Sequence, residues 1–414
     1  MRIKHRKFIE RLLQTGIFLG LVYCICYRSQ VAHTHASRLV VFVTFGHEGS
    51  SKLRGESQSN ALNARRNIDL QFASSWQALH ISAIELYAKI PKRVDACIIV
   101  KSTRKTHKQK NISAVETCKE RGAVIIYDVI DNEQMLAVLD KLLPSEPLPL
   151  NFDFILTQSS KLVRKLGENR AAVLYHHHTN PGIHTSKNRV RGNVCRVGFL
   201  AGHPNNVLTE TEYNLIDEAL LRAAPKNFSV SFSVILQNTP QGERPHTTEA
   251  RGPKVHQHCR HRSTYSQQHY IIDRSGQEPY HNDTLITDID LAIVWPADRL
   301  RTREKPTTVD RPLTRFVYWL SHGVPTIAFN YTAYREVAEK HSYSINEENS
   351  PPLVVDTIEE LERSAKVIMA SSEARLRLRA KGLRIARSYT IDATSTRLLK
   401  ILNIAYASYK KNTA

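Results

Sequence analysis

Two arginines, Arg311 and Arg315, stand four residues apart at the head of the stretch "RPLTRFVYWLSHGVPTIAFNYTAYREV". Phe316, Trp319 and Leu320 then recur at helical spacing, which predicts a helix with both guanidiniums near its first turn. Gly323 ends that helix, Pro325 enforces the stop, and Pro325 to Phe329 read as a short buried strand. The free amides of a helix start attract anions, and an arginine beside them never loses its charge. Tyr334 and Glu336 close the stretch with a hydroxyl and a carboxylate.

A helix start of this kind has to be carried by a sheet, and the rest of the chain supplies one. "RLVVFVTF" (38–45) is a continuous apolar run bounded by glycine, which suits a parallel strand covered on both faces. Phe72, Trp76, Leu79, Ala83 and Leu86 fall on one helical stripe. The segments "ACIIV", "AVIIYDVID", "FDFILTQS" and "AAVLYHHH" read as further strands, with helices around 115–121 and in "MLAVLDKLL". This alternation predicts an α/β, doubly wound, Rossmann-like domain over residues 37–191, with ligands at the carboxyl ends of its strands. A second series over 192–392 opens with "RVGFLAG", continues through a helix near 210–223 and "FSVSFSVIL", and resumes at "IDLAIVWP". Between them, residues 240–283 are rich in Pro, Gly, Gln, His and Arg and read as a mobile surface insertion.

The 414 residues, 41% hydrophobic and 23% charged, suffice for two domains and a leader and are too polar for a multispan membrane protein. The leader, residues 1–36, is basic and then uncharged from Thr15 to Tyr27. It reads as a signal-anchor with a cytosolic tail, or as a cleaved signal peptide; both send the remainder into the secretory pathway. The sequons at Asn111, Asn227, Asn282 and Asn330 agree with that route. Cys97, Cys118, Cys195 and Cys259 are too scattered for a disulfide framework, although one bridge is possible. A net charge of +19 fits an anionic partner of some kind.

Two parallel-sheet domains in series, the "DLAIVWP" strand, the helix, Gly-x-Pro break, strand and downstream glutamate of 311–337, and the closing helices together resemble a GT-B glycosyltransferase. The resemblance is strongest from Ile289 to the C-terminus. It implies two domains facing across a cleft, with the acceptor on the first, a nucleotide-sugar donor on the second, and residues 393–414 returning to the first as a helix. It also implies that Arg315 and Arg311 hold the donor diphosphate, because negative charge builds on that group as the sugar departs. Gly198 and Gly202 would allow close backbone approach to the donor, and Tyr334 and Glu336 would meet ribose or sugar hydroxyls. An acceptor base would lie on the first domain's loops, where His47 and Glu48 follow the first strand and Asp128 and Asp131 end the third; His47 and Asp131 are the residues carried forward. The resemblance departs from the family's retaining members at one place: they carry two glutamates eight positions apart, where this chain has Asp310 and Tyr318.

His176 to His178 and the cluster His256 to His261 lack the spacing of a standard zinc site, and no metal is expected. The expected function is transfer of a sugar from a nucleotide-sugar to a glycan or glycoprotein at the Golgi or ER membrane, with the catalytic part in the lumen. The rival readings are a non-catalytic lumenal protein that binds sugar nucleotides or glycans on the same fold, and a nucleic-acid-binding protein. The leader and the absence of an aromatic-plus-basic recognition module stand against the last.

Overall fold

A computed structural model describes residues 38–44, 52–68, 76–82, 90–101, 105–130, 133–178, 194–201, 208, 210–226, 228–237, 257–260, 265–268, 271–272, 289–296, 311–345 and 351–413. The first lobe contains β1 (Arg38–Thr44), a π-helical turn (Lys52–Glu56), α1 (Ser57–Ile68), β2 (Trp76–Ser82), β3 (Ala96–Val100), α2 (Lys105–Glu120), β4 (Val124–Asp128), α3 (Glu133–Lys141), β5 (Phe154–Thr157), α4 (Ser160–Leu166) and β6 (Ala171–Val173). Its strands form an all-parallel sheet in the order β2-β1-β3-β4-β5-β6. The winding reverses between β1 and β3, which opens a crevice at their carboxyl ends.

The apolar runs are buried on both faces because alternate side chains serve different cores. In β4, Ile125 and Tyr127 pack with Val115 and Cys118 of α2 and Leu139 of α3. Val124 and Ile126 point the other way, toward Leu62 of α1. Cys97 and Cys118 form a disulfide that joins β3 to the helix covering it.

The second lobe contains β7 (Val194–Ala201), α5 (Glu210–Ala223), β8 (Ser229–Gln237), β9 (Gln257–Arg260), β10 (Tyr265–Gln268), β11 (Ile271–Ile272), β12 (Leu291–Val294), α6 (Thr314–Ser321), β13 (Thr326–Phe329), α7 (Thr332–Lys340), β14 (Val354–Val355), α8 (Ile358–Ala370), α9 (Ser372–Arg387) and α10 (Ile391–Thr413). Its sheet runs β10-β9-β8-β7-β12-β13-β14, with β11 also on β8; β9 and β10 are the antiparallel members. The winding reverses between β7 and β12. The α10 helix leaves this lobe, and its Leu398, Ile401, Leu402 and Ala405 complete the first lobe's core.

Two expectations differ from the structure. The stripe read from Phe72 to Leu86 is not one helix: its described part, Trp76–Ser82, is strand β2, in parallel register with β1 from Arg38↔Trp76 onward, and Phe72, Ala83 and Leu86 lie outside the described residues. Trp76, Ala78 and Ile81 are buried there, and so few apolar positions satisfy either period. The segment 240–283, expected to lack elements, contributes β9, β10 and β11. Among the described residues no helix is long and apolar enough to cross a membrane, and the expected anchor, residues 1–36, lies outside them.

Candidate active site at the lobe boundary

The helix α6 begins beside the first lobe. Its apolar residues Phe316, Val317, Trp319 and Leu320 are buried between the sheet and α9, and Gly323 takes the left-handed conformation (φ 68°) that stops the helix before β13. No side chain caps its start, where Leu313 stands at the cap position. Of its eight residues, Arg315 alone is not buried. Its guanidinium has no hydrogen-bond or ion-pair partner among the described residues.

Three expected donor residues come together here. Tyr334, on α7, stacks on Phe316 at 5.5 Å and donates its hydroxyl to the carbonyl of Pro312 at 3.1 Å. Burial pushes its phenol pKa up, while the charges of Arg315 and Arg311 act in the opposite direction. Tyr334 therefore braces the turn between the two arginines rather than exposing its hydroxyl.

The first lobe meets this helix through His176, just beyond β6. Its Nδ1 lies 2.8 Å from Oγ1 of Thr314, the first residue of α6, and its Nε2 is buried with no partner among the described residues. Burial, and then the charge of Arg54, holds the His176 pKa well below the ordinary range. The same causes bring His177 down to about 3, with Gln58 Nε2 at 3.3 Å from its Nδ1. His178 completes the crossing, its amide donating to the Tyr389 carbonyl at the end of α9.

Beneath this contact lies a buried ion pair. Arg54 donates to both carboxylate oxygens of Asp128 at 2.6 and 3.0 Å and to the Tyr175 carbonyl at 3.2 Å. Asp128, considered above as an acceptor base, is thereby committed to structure. Nearby, Lys101 (φ 21°) and Ile130 (φ 43°) leave the carboxyl ends of β3 and β4 in left-handed backbone. Such conformations in residues other than glycine gather at functional sites.

No family model matches the chain, and no match is found among curated proteins. Among solved structures, a UDP-forming α,α-trehalose-phosphate synthase from Burkholderia xenovorans superposes with a TM-score of 0.50 at 12% identity, over 89% of this chain and 99% of that one. The α,α-trehalose 6-phosphate synthase from Burkholderia multivorans does so with a TM-score of 0.51 at 10% identity, over 89% and 98%. The fold is GT-B. At these identities the likeness establishes the architecture and leaves the chemistry to be argued from the side chains.

Within the GT-B frame the remaining expected residues separate. Gly198 sits mid-strand in β7, and the room it leaves is filled by Trp319 at 3.0 Å and Ile289 at 3.1 Å from where a Cβ would stand. Its role here is packing beneath α6. Glu336 faces the first lobe, where its carboxylate accepts from the amide of Ser160 and the hydroxyl of Tyr175. Tyr318, at the position of the family's second glutamate, is buried against His322 at 4.5 Å. His47, Asp131, Gly202 and Asp310 lie outside the described residues.

Thr314, Tyr175, Ser160 and Arg54 were missed in the sequence, and His176 was weighed there only as a metal ligand. Thr314 stands inside the 311–337 stretch, but a threonine one residue before Arg315 carries no signal without its partner. That partner is a histidine 138 residues away.

Proposed function

We propose that this protein is a glycosyltransferase that takes a sugar from a nucleotide-sugar donor. The observation that carries the reading is Arg315: the one residue of α6 that is not buried, at an uncapped helix start touching the opposite lobe of a GT-B fold. Backbone amides and a guanidinium there meet the charge that builds on a departing diphosphate, and a bidentate arginine sets the direction in which it leaves. Arg311 adds a second cation, so this charge is neutralised without an obligatory metal. The similar proteins named above are UDP-forming or trehalose-phosphate synthases, which favours a uridine diphosphate sugar.

The acceptor, a glycan or glycoprotein, is assigned to the first lobe, with His47 or Asp131 as base. In sequence His47 follows β1 and Asp131 follows β4, and ligands of such folds gather at the carboxyl ends of the strands. The leader supports a type II anchor at the Golgi or ER membrane with the catalytic part lumenal. The Cys97–Cys118 bridge supports an oxidising compartment.

The test is turnover by the full chain in detergent with a panel of nucleotide-sugars, with thermal shift run in parallel. Release of the nucleoside diphosphate from one donor, unaffected by EDTA, is the expected result. One observation favours a second reading, a non-catalytic sugar-nucleotide-binding protein: the buried Tyr318 where retaining relatives carry a glutamate. A raised melting temperature without turnover of any donor would support that reading over the first.

A further inference from the structure

We propose that Glu336 is an interlobe latch, a positioning residue that holds α7 against α4 and so keeps the start of α6 seated on the first lobe. Its carboxylate is carried by the second lobe, and the partners it bonds among the described residues, Ser160 and Tyr175, belong to the first. The Ser160 amide lies 2.9 Å from Oε1 and 3.0 Å from Oε2, the Ser160 hydroxyl donates to Oε1, and the Tyr175 hydroxyl donates to Oε2 at 2.9 Å.

The local chemistry explains why a carboxylate is required. Ser160 is the first residue of α4, and the Ser159 side chain at the cap position makes no capping hydrogen bond. A helix start left in that state needs an acceptor for its amides, and an anion satisfies it best. Here the cap comes from the other lobe. Tyr175 is held for its part by Tyr389 edge-on at 5.7 Å and by the Arg397 guanidinium over its ring at 5.9 Å. Burial and then the Glu336 charge raise the Tyr175 pKa, so the phenol remains a donor.

The latch connects directly to the α6 start. The Tyr175 carbonyl is fixed by Arg54, and the next residue, His176, meets Thr314. One short segment thus joins the carboxylate grip to the contact at the head of the helix that bears Arg315. What the latch positions rests on the donor reading above, but the grip itself does not.

The experiment compares E336Q, Y175F and wild type as full chains by hydrogen exchange and by uridine diphosphate binding. A glutamine has one acceptor oxygen and turns an N–H₂ toward other donors, so E336Q must set donor against donor at Ser160 or Tyr175. Exchange at the start of α4 is expected to rise about tenfold or more, as for a lost charge-assisted bond, while β4 and β13 remain protected. Y175F should raise the same signal by less, and the double variant should exceed E336Q little. Both single variants should also weaken uridine diphosphate binding several-fold. Unchanged exchange at α4 in E336Q would overturn the latch. So would weakened binding in E336Q alone with Y175F indistinguishable from wild type, because that pattern marks a direct ligand contact. A latch seen by exchange in a protein that never binds uridine diphosphate would instead count against the donor reading.

Discussion

The hydroxyl of Tyr334 reaches the carbonyl of Pro312 at 3.1 Å, tying α7 to the turn that separates Arg311 from Arg315. The arginines are thus braced by the helix that follows strand β13 in sequence, and the proposed anion site is a tertiary construction although its residues are close in sequence.

Tyr334→Phe keeps the ring stacked on Phe316 and removes only this bond. A loss of about 1 kcal/mol in stability is expected, with a several-fold weaker affinity for uridine diphosphate. Melting and calorimetry measure the two; an unchanged affinity would show that the turn needs no brace.

Arg315→Ala should weaken uridine diphosphate binding by roughly 10- to 100-fold, the cost of a lost charge-assisted contact, and leave uridine binding unchanged. Arg315→Lys should fall between, since it keeps the charge and loses the planar fork. Equal losses for nucleoside and nucleotide would remove the diphosphate from this site.

Arg54→Ala removes the bidentate cationic partner of the buried Asp128 carboxylate. The expected destabilisation is about 3–5 kcal/mol, and the double change Arg54→Met with Asp128→Leu should recover much of it. Denaturant melts of the two variants and the wild type decide this; a mild single variant would mean that Asp128 is satisfied without Arg54.

His177 is held neutral in the folded protein down to about 3, below the ordinary histidine value of about 6.5, and His176 is shifted the same way. Above the unfolded value both forms are neutral and the histidines contribute no pH dependence. As pH falls below it, the unfolded chain takes up protons that the folded one refuses, so stability drops by up to about 1.4 kcal/mol per pH unit for each histidine. His177→Gln should flatten the melting profile between pH 6.5 and 4; an identical profile would assign the acid sensitivity elsewhere.

Cys97→Ser removes a bridge between residues 21 apart and should cost about 3 kcal/mol through the loop-closure entropy it returns to the unfolded chain. Reductant should lower the melting temperature of the wild type and leave that of the variant unchanged.

The alternation of buried strands and helices, the two doubly wound units, and the helix, Gly-x-Pro and strand order around Arg315 were legible in the amino-acid order. Each rests on backbone periodicity or on the conformational limits of glycine and proline, which act over a few residues. Where two periods fitted equally, as at Trp76 to Ser82, local pattern failed, because only pairing with β1 selects the strand. The tertiary structure alone decided that Thr314 meets His176, that Arg54 occupies Asp128, that Trp319 fills the space above Gly198, and that Glu336 turns to Ser160. A carboxylate or glycine is equally suited to ligand, neighbour or solvent, and the choice belongs to whatever the packed lobes bring within 3 Å of it.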